Sequence, residues 1–204
     1  MKKFAILTIL FFIMPLVSGA GCKKVPATLD NLKHAIIGET TASAKYQAYA
    51  AKAKEEKLDK IAKLFEAASK SESIHAKMHT EVLEKMGVKM GKVNPQFTVK
   101  STKENIQDAI KGETFEVETM YVDYKKKAVD EGNTDANRSF DLAWLTEKKH
   151  QALYKNALDA MDKKEMNNVS DMYYICPVCG NTFGKNAPGQ CENCGEQMQS
   201  FIKI

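Results

Sequence analysis

The sequence predicts a mostly α-helical protein: a bundle of four long helices followed by a small metal-stapled β/loop module. Three observations predict it. From Pro26 to about Met166, apolar residues recur at helical spacing. Two decapeptides, "NLKHAIIGET" at Asn31–Thr40 and "NIQDAIKGET" at Asn105–Thr114, share six of ten residues at an offset of 74. The stretch from Tyr173 to Ile204 loses the helical period and carries four cysteines among glycine, proline and aromatic residues.

The 204 residues suffice for one medium domain with a small extra module. Residues 1–21 stand apart and read as an export signal. Lys2 and Lys3 form a basic start, Phe4 to Val17 an apolar run, and Ser18-Gly19-Ala20-Gly21 a set of small residues before Cys22. The apolar run is too short to span a bilayer comfortably. Small residues followed directly by cysteine resemble a bacterial lipoprotein signal, in which Cys22 is acylated and becomes the new N-terminus. Gly19 stands where that pattern usually has an aliphatic residue, so plain cleavage after Ala20 is the alternative. Removing Lys2 and Lys3 lowers the net charge from +4 to +2. No basic run is interleaved with aromatics, which argues against nucleic acid.

Residues 22–166 hold the bundle. The first helix starts near Thr28 and presents Leu29, Leu32, Ile36, Glu39, Tyr46 and Ala50 on one face. The second runs from about Asp59 to Met86, presents Ile61, Phe65, Glu72, His75 and Val82, and stops at Gly87. A connector with two glycines and Pro95 is long enough to cross the bundle. The third helix opens at Ser101, with Glu104 at capping-box spacing, and ends at Gly132 and Asn133. The fourth, from about Asp135 to Lys164, presents Phe140, Trp144, Glu147, His150 and Tyr154. The repeat makes helices one and two a pair similar to helices three and four, with one crossover between the pairs.

Those faces contain charges that should not be there. Glu39 and Glu113 end the two repeats, and Glu72-x-x-His75 and Glu147-x-x-His150 sit on the other two helices. Residues three apart project from one helical face, so each pair can reach one point. One glutamate from each of two helices plus Glu-x-x-His from each of the others is a di-iron or di-manganese carboxylate set. Glu116, three residues after Glu113, offers a seventh ligand. Buried and unpaired, these carboxylates would be severely destabilising, and two cations remove that penalty. Carboxylate with imidazole suits iron and manganese alike. His34 and His79 lack the pattern and are read as surface or rim residues.

After the linker "KKEMNNVS", residues 171–204 form the second module. Cys176, Cys179, Cys191 and Cys194 make a C-x2-C-x11-C-x2-C array, four thiolates for zinc or iron. A glycine after each pair lets the backbone fold back toward the sulfurs. Zinc alone would be a structural staple. Beside a redox-capable dinuclear site, an iron–thiolate electron relay is the better reading.

"GET", "ESIH", "GETFE" and "EKKH", with "YICPVCGNTF" and "CENCG" through the terminal "FIKI", resemble the rubrerythrins over essentially the whole chain from Asn31. The resemblance implies a ferritin-like di-iron bundle followed by a rubredoxin-like domain. It implies that Glu39, Glu72, His75, Glu113, Glu116, Glu147 and His150 hold two irons and the four cysteines a third, with Tyr46 and Tyr121 hydrogen-bonded near the iron carboxylates. It implies a peroxidase reducing hydrogen peroxide to water, an exchange of Glu116 for His75 on reduction, and a homodimer. Rubrerythrins are typically cytoplasmic and fed by soluble reductases, so an exported, membrane-anchored lipoprotein leaves the electron donor unknown. Competing expectations are a ferritin-like iron-oxidising protein and a non-enzymatic lipoprotein module with zinc in the cysteine site.

Overall fold

The computed structural model describes residues 26–204. The expected signal and the expected acylation at Cys22 fall within residues 1–25, outside the described residues. Helix α1 spans Ala27–Glu55 and α2 Asp59–Lys85. A three-residue turn reverses the chain between them, with Lys57 in the left-handed region at φ 62°. The crossover, residues 86–101, leads to α3, Thr102–Phe115. Ser101 accepts from the Glu104 amide, and the Glu104 carboxylate accepts from the Ser101 amide, the reciprocal cap that the sequence predicts.

The third long helix is interrupted. A π-helical turn, Glu116–Met120, separates α3 from α4, Tyr121–Asp130. Gly132, at φ 69°, ends α4, and the Asn133 side chain accepts from the Ala136 amide to start α5, Thr134–Lys163. Glu131, just past α4, accepts from the first amides of α1, Ala27 and Thr28, at 2.7 and 3.0 Å. That cap fixes the ends of α1 and α4 side by side.

The C-terminal module is a three-stranded antiparallel sheet in the order β2-β1-β3, with β1 Tyr174–Ile175, β2 Thr182–Phe183 and β3 Ile202–Lys203. Tyr174 pairs with Phe183 on one side and Lys203 on the other. Despite its polar linker, this module is docked. Val169, Tyr173 and Ile175 are buried in the same apolar cluster as Tyr46, Phe65 and Tyr154 of the bundle. Burying such side chains stabilises by about 1.5–3 kcal/mol each, which holds the module against α2 and α5.

Candidate metal centres

Two groups of side chains converge in the middle of the bundle, and both are fully enclosed. The first is Glu39, Glu72, His75 and Glu147; the second is Glu72, Glu113, Glu147 and His150, each group having one donor atom per residue within 4.8 Å of the others. Glu72 and Glu147 belong to both. His75 Nδ1 lies 2.7 Å from Glu147 Oε1, 2.9 Å from Glu72 Oε2 and 3.8 Å from Glu39 Oε2. His150 Nδ1 lies 2.8 Å from Glu147 Oε2, 3.1 Å from Glu72 Oε1 and 3.9 Å from Glu113 Oε2. Each shared carboxylate therefore sends one oxygen to each histidine. The centre is pseudo-twofold, as the repeat predicts.

Charge and burial test whether cations fit. Eight inward atoms have no hydrogen-bond partner among the described residues: both oxygens of Glu72 and of Glu147, Oε2 of Glu39 and of Glu113, and Nδ1 of both histidines. Unpaired, each buried polar atom costs about 1–3 kcal/mol, and charged ones more. Burial drives the Glu39 carboxyl up to about 7, and burial with the neighbouring carboxylates drives Glu113 well above the ordinary range. At Glu147 burial is outweighed by the imidazoles of His75 and His150, which hold its carboxyl at about 2. Two cations at these positions satisfy all eight atoms at once. The oxygen and nitrogen donor set suits iron or manganese.

Glu116, read as a seventh ligand, is in neither group. It begins the π turn, and burial together with Glu39 and Glu113 raises its carboxyl well above the ordinary range. Tyr46 Oη donates to Glu113 Oε1 at 2.6 Å, and Tyr121 Oη donates to Glu39 Oε1, so both tyrosines stand where the resemblance puts them. One reading is overturned. His79, read as a surface or rim residue, is fully buried: four residues after His75 on α2, it lies on the same stripe and hydrogen-bonds Tyr121 and Ser139. The signal was that i, i+4 spacing. His34 is exposed, as read.

The four cysteines also converge, unpaired by disulfides. Cys176 Sγ is 3.5 Å from Cys194 Sγ, and Cys179 Sγ is 3.6 Å from Cys191 Sγ, close to the edge of a tetrahedron with metal–sulfur bonds of about 2.3 Å. Gly180 and Gly195 take φ of 76° and 84°, which lets their amides turn back to the carbonyls of Cys176 and Cys191 at 3.0 and 2.8 Å.

The sequence did not disclose how the two centres touch. His75 Nε2 is 3.2 Å from the Cys179 carbonyl, which accepts its proton. His150 Nε2 donates to Thr182 Oγ1 at 3.0 Å, because that hydroxyl's own proton goes to the Gly180 carbonyl at 3.0 Å. Ser71 Oγ donates to the same carbonyl at 2.7 Å. With their outer nitrogens committed as donors, both imidazoles would offer Nδ1 to a cation, the tautomer that metal binding needs.

The sequence pattern of the Rubrerythrin family matches residues 30–158. Nigerythrin of Nitratidesulfovibrio vulgaris is 33% identical over 180 residues, covering 87% of this chain and 86% of that protein. Rubrerythrin-2 of Clostridium acetobutylicum is 34% identical over 178 residues, covering 85% and 95%. The fully reduced, all-ferrous structure of nigerythrin superposes with a TM-score of 0.79 at 32% identity, over 92% of this chain and 91% of that one. A bacterioferritin from Rhodobacter capsulatus shares the ferritin-like bundle alone, at a TM-score of 0.63 and 17% identity over 81% and 99% of the two chains.

Proposed function

The chain belongs to the rubrerythrin family, and on that footing we propose that it is a non-haem di-iron peroxidase that reduces hydrogen peroxide to water. When bound, paired irons in the bundle would supply two electrons to the peroxide O–O bond, and an iron in the cysteine site would return them one at a time. The chain's own residues do the rest. Glu72 and Glu147, shared by both groups, would be held in common by the two cations, with Glu39 and His75 on one side and Glu113 and His150 on the other. Tyr46 and Tyr121 orient the terminal carboxylates by hydrogen bonds.

The observation that carries this reading is the contact between centres. The carbonyl of Cys179, whose thiolate belongs to one site, accepts from the ring of His75, whose Nδ1 belongs to the other. One hydrogen bond thus links the two donor sets. A protein that only stored iron would have no use for a thiolate site placed there. The test is anaerobic reduction of the iron-loaded protein followed by two equivalents of peroxide per chain, enough for all three irons, watching both chromophores. Reoxidation of the cysteine site together with the bundle supports the reading; a cysteine site that stays reduced, or holds zinc, refutes it. We also infer export and acylation at Cys22, supported by the basic, apolar and small-residue order of residues 2–21. The mass of the mature N-terminus checks this.

A further inference from the structure

The near-twofold symmetry of the centre makes its failures informative. Each half places a tyrosine on a terminal carboxylate, Tyr121 on Glu39 and Tyr46 on Glu113. Each backs that tyrosine with a phenylalanine, Phe140 or Phe65, at ring-centroid distances of 6.0 Å in both. Beyond this the halves part. On the Tyr46 side stands Tyr154, with its ring 5.5 Å away and its hydroxyl buried without a hydrogen-bond partner among the described residues. On the Tyr121 side the matching position, 75 residues earlier, is His79. Its Nε2 is 3.0 Å from Tyr121 Oη and its Nδ1 is 2.7 Å from Ser139 Oγ. The counterpart of Ser139 in the other half is Leu64, buried and apolar.

With Glu39 ionised, the protons in this chain of contacts have one consistent order. Tyr121 has a single hydroxyl proton, and it goes to Glu39. His79 must then donate from Nε2 to the Tyr121 oxygen. Burial holds His79 neutral, with its pKa pressed down to about 3, so Nδ1 is bare and accepts from the Ser139 hydroxyl. All three hydrogen bonds point inward, from a serine 5% exposed on α5 to the wall of the metal cage. The other half ends in an unpaired phenol and a leucine.

We propose that Ser139 and His79 form a one-sided proton path that delivers protons from the buried Ser139 hydroxyl on α5, the outer end of the chain, to the Tyr121 hydroxyl beside Glu39. In one passage solvent gives a proton to Ser139, Ser139 gives its own to His79 Nδ1, and His79 gives its Nε2 proton to Tyr121, which passes its proton to the cage. Ser139, His79 and Tyr121 each end with unchanged charge, and the net transfer is one proton from solvent to the cage. His79 ends as the other tautomer, and a return of the imidazole and hydroxyls to the starting order prepares the next passage. Peroxide with two protons and two electrons gives two waters, so two passages supply one turnover. The path rests on the peroxidase reading only for what consumes the protons. His79 touches neither substrate nor metal; it is a positioning and relay residue.

Two measurements decide it. The first is independent of turnover: nitrogen NMR of histidine-labelled full chain loaded with zinc, with His79→Gln identifying the signal. The expected result is a proton on His79 Nε2, a bare Nδ1 and no titration between pH 5 and 8; a proton on Nδ1, or a midpoint near 6.5, overturns the proposal. The second is single-turnover peroxide reduction by prereduced, iron-loaded protein in H2O and D2O. His79→Gln keeps one donor and one acceptor at similar separation but cannot exchange tautomers. Relay predicts a loss of about tenfold or more in His79→Gln and in Ser139→Ala, with an altered solvent isotope effect. A purely structural role predicts that His79→Gln keeps the wild-type rate and isotope effect while His79→Leu loses both, and that result overturns the relay. If wild type itself fails to reduce peroxide, the peroxidase reading falls, and the NMR result still decides the path.

Discussion

Replacing Gly180 by alanine tests whether the contact between the centres is the electron route. A Cβ built on Gly180 would lie 2.5 Å from His75 Nε2 and 2.7 Å from Ser71 Oγ. The serine hydroxyl can rotate away. His75 cannot, because its other nitrogen faces Glu72 and Glu147 at hydrogen-bonding distance. The module must therefore back off by nearly 1 Å to restore an ordinary contact. That movement strains or breaks the bonds from His75 to Cys179 and from Ser71 to Gly180. Each is worth about 1 kcal/mol, and the buried groups left unpaired add about half as much again, so docking weakens by about 3 kcal/mol. This is roughly a hundredfold in the docked population. Alanine at φ 76° also costs about 1 kcal/mol in the cysteine knuckle itself. Gly195 separates the two effects: at φ 84°, its added Cβ would meet only Gln190 Nε2, at a relaxed 3.6 Å. The assay is stopped-flow reoxidation of the reduced cysteine chromophore by peroxide in iron-loaded protein. Gly180→Ala should slow it at least about tenfold while Gly195→Ala leaves it near the wild-type rate. Equal rates in the two variants would refute the reasoning.

Other outcomes follow from the same geometry. Cys176→Ser should abolish steady-state turnover yet spare one turnover of chemically reduced protein; loss of that turnover with bundle iron intact would show that the relay takes part in the chemistry. Glu72→Ala removes a carboxylate shared by both groups and should lower bundle iron at both positions and end peroxide turnover, while the cysteine-site colour survives; metal analysis and absorbance check it. His79 predicts a pH dependence. It faces Tyr121 from α4 and Ser139 and Phe140 from α5, with the charges of Glu147 on α5 and its own-helix neighbour His75 beyond. Its folded pKa, about 3, lies below the value near 6.5 of an unfolded histidine, so the unfolded chain binds more protons between those limits. Its contribution is complete above pH 6.5 and is lost as pH falls toward 3, by up to about 1.4 kcal/mol per unit. The difference in urea unfolding free energy between wild type and His79→Gln should shrink from pH 7 to pH 4.5; a constant difference would contradict it.

Helices and candidate ligands were legible for the same reason. A 3.6-residue period that contains Glu39, Glu72, Glu113 and Glu147 at its apolar positions identifies both the helix and its anomaly. Ser101, Gly132 and Asn133 marked ends because caps depend on local backbone chemistry. His79 was misread because only Glu-x-x-His was taken as a reason for burial, whereas a neutral imidazole with two hydrogen-bond partners tolerates burial without a metal. The docking of the cysteine module was not legible. It depends on residues more than 100 positions apart, such as Ser71 with Gly180, that share no periodicity. Gly180 looked like a turn glycine, and it is one; its second duty, clearance over His75, belongs to tertiary structure.

The offset between the repeats carries one more step. It is 74 from Glu39 to Glu113 but 75 from Tyr46 to Tyr121, and again 75 from Glu72 to Glu147. One residue has been inserted between Glu113 and Tyr121, where the structure has its π turn, Glu116–Met120. A π turn is how an α-helix absorbs one extra residue without losing the register beyond it. The insertion leaves Tyr121 on Glu39 as Tyr46 is on Glu113, and it sets Glu116 beside the cage at a position where α1 has Ala42. Glu39 heads the charged groups acting on Glu116. Glu39 is also where the Ser139–His79–Tyr121 chain ends, and its group contains His75, the ring that meets Cys179. The departures from symmetry thus gather on one half. A duplicated cage needs only symmetry to bind two cations; one that must receive electrons and protons at a defined place needs to break it, and the breaks converge on Glu39 and His75.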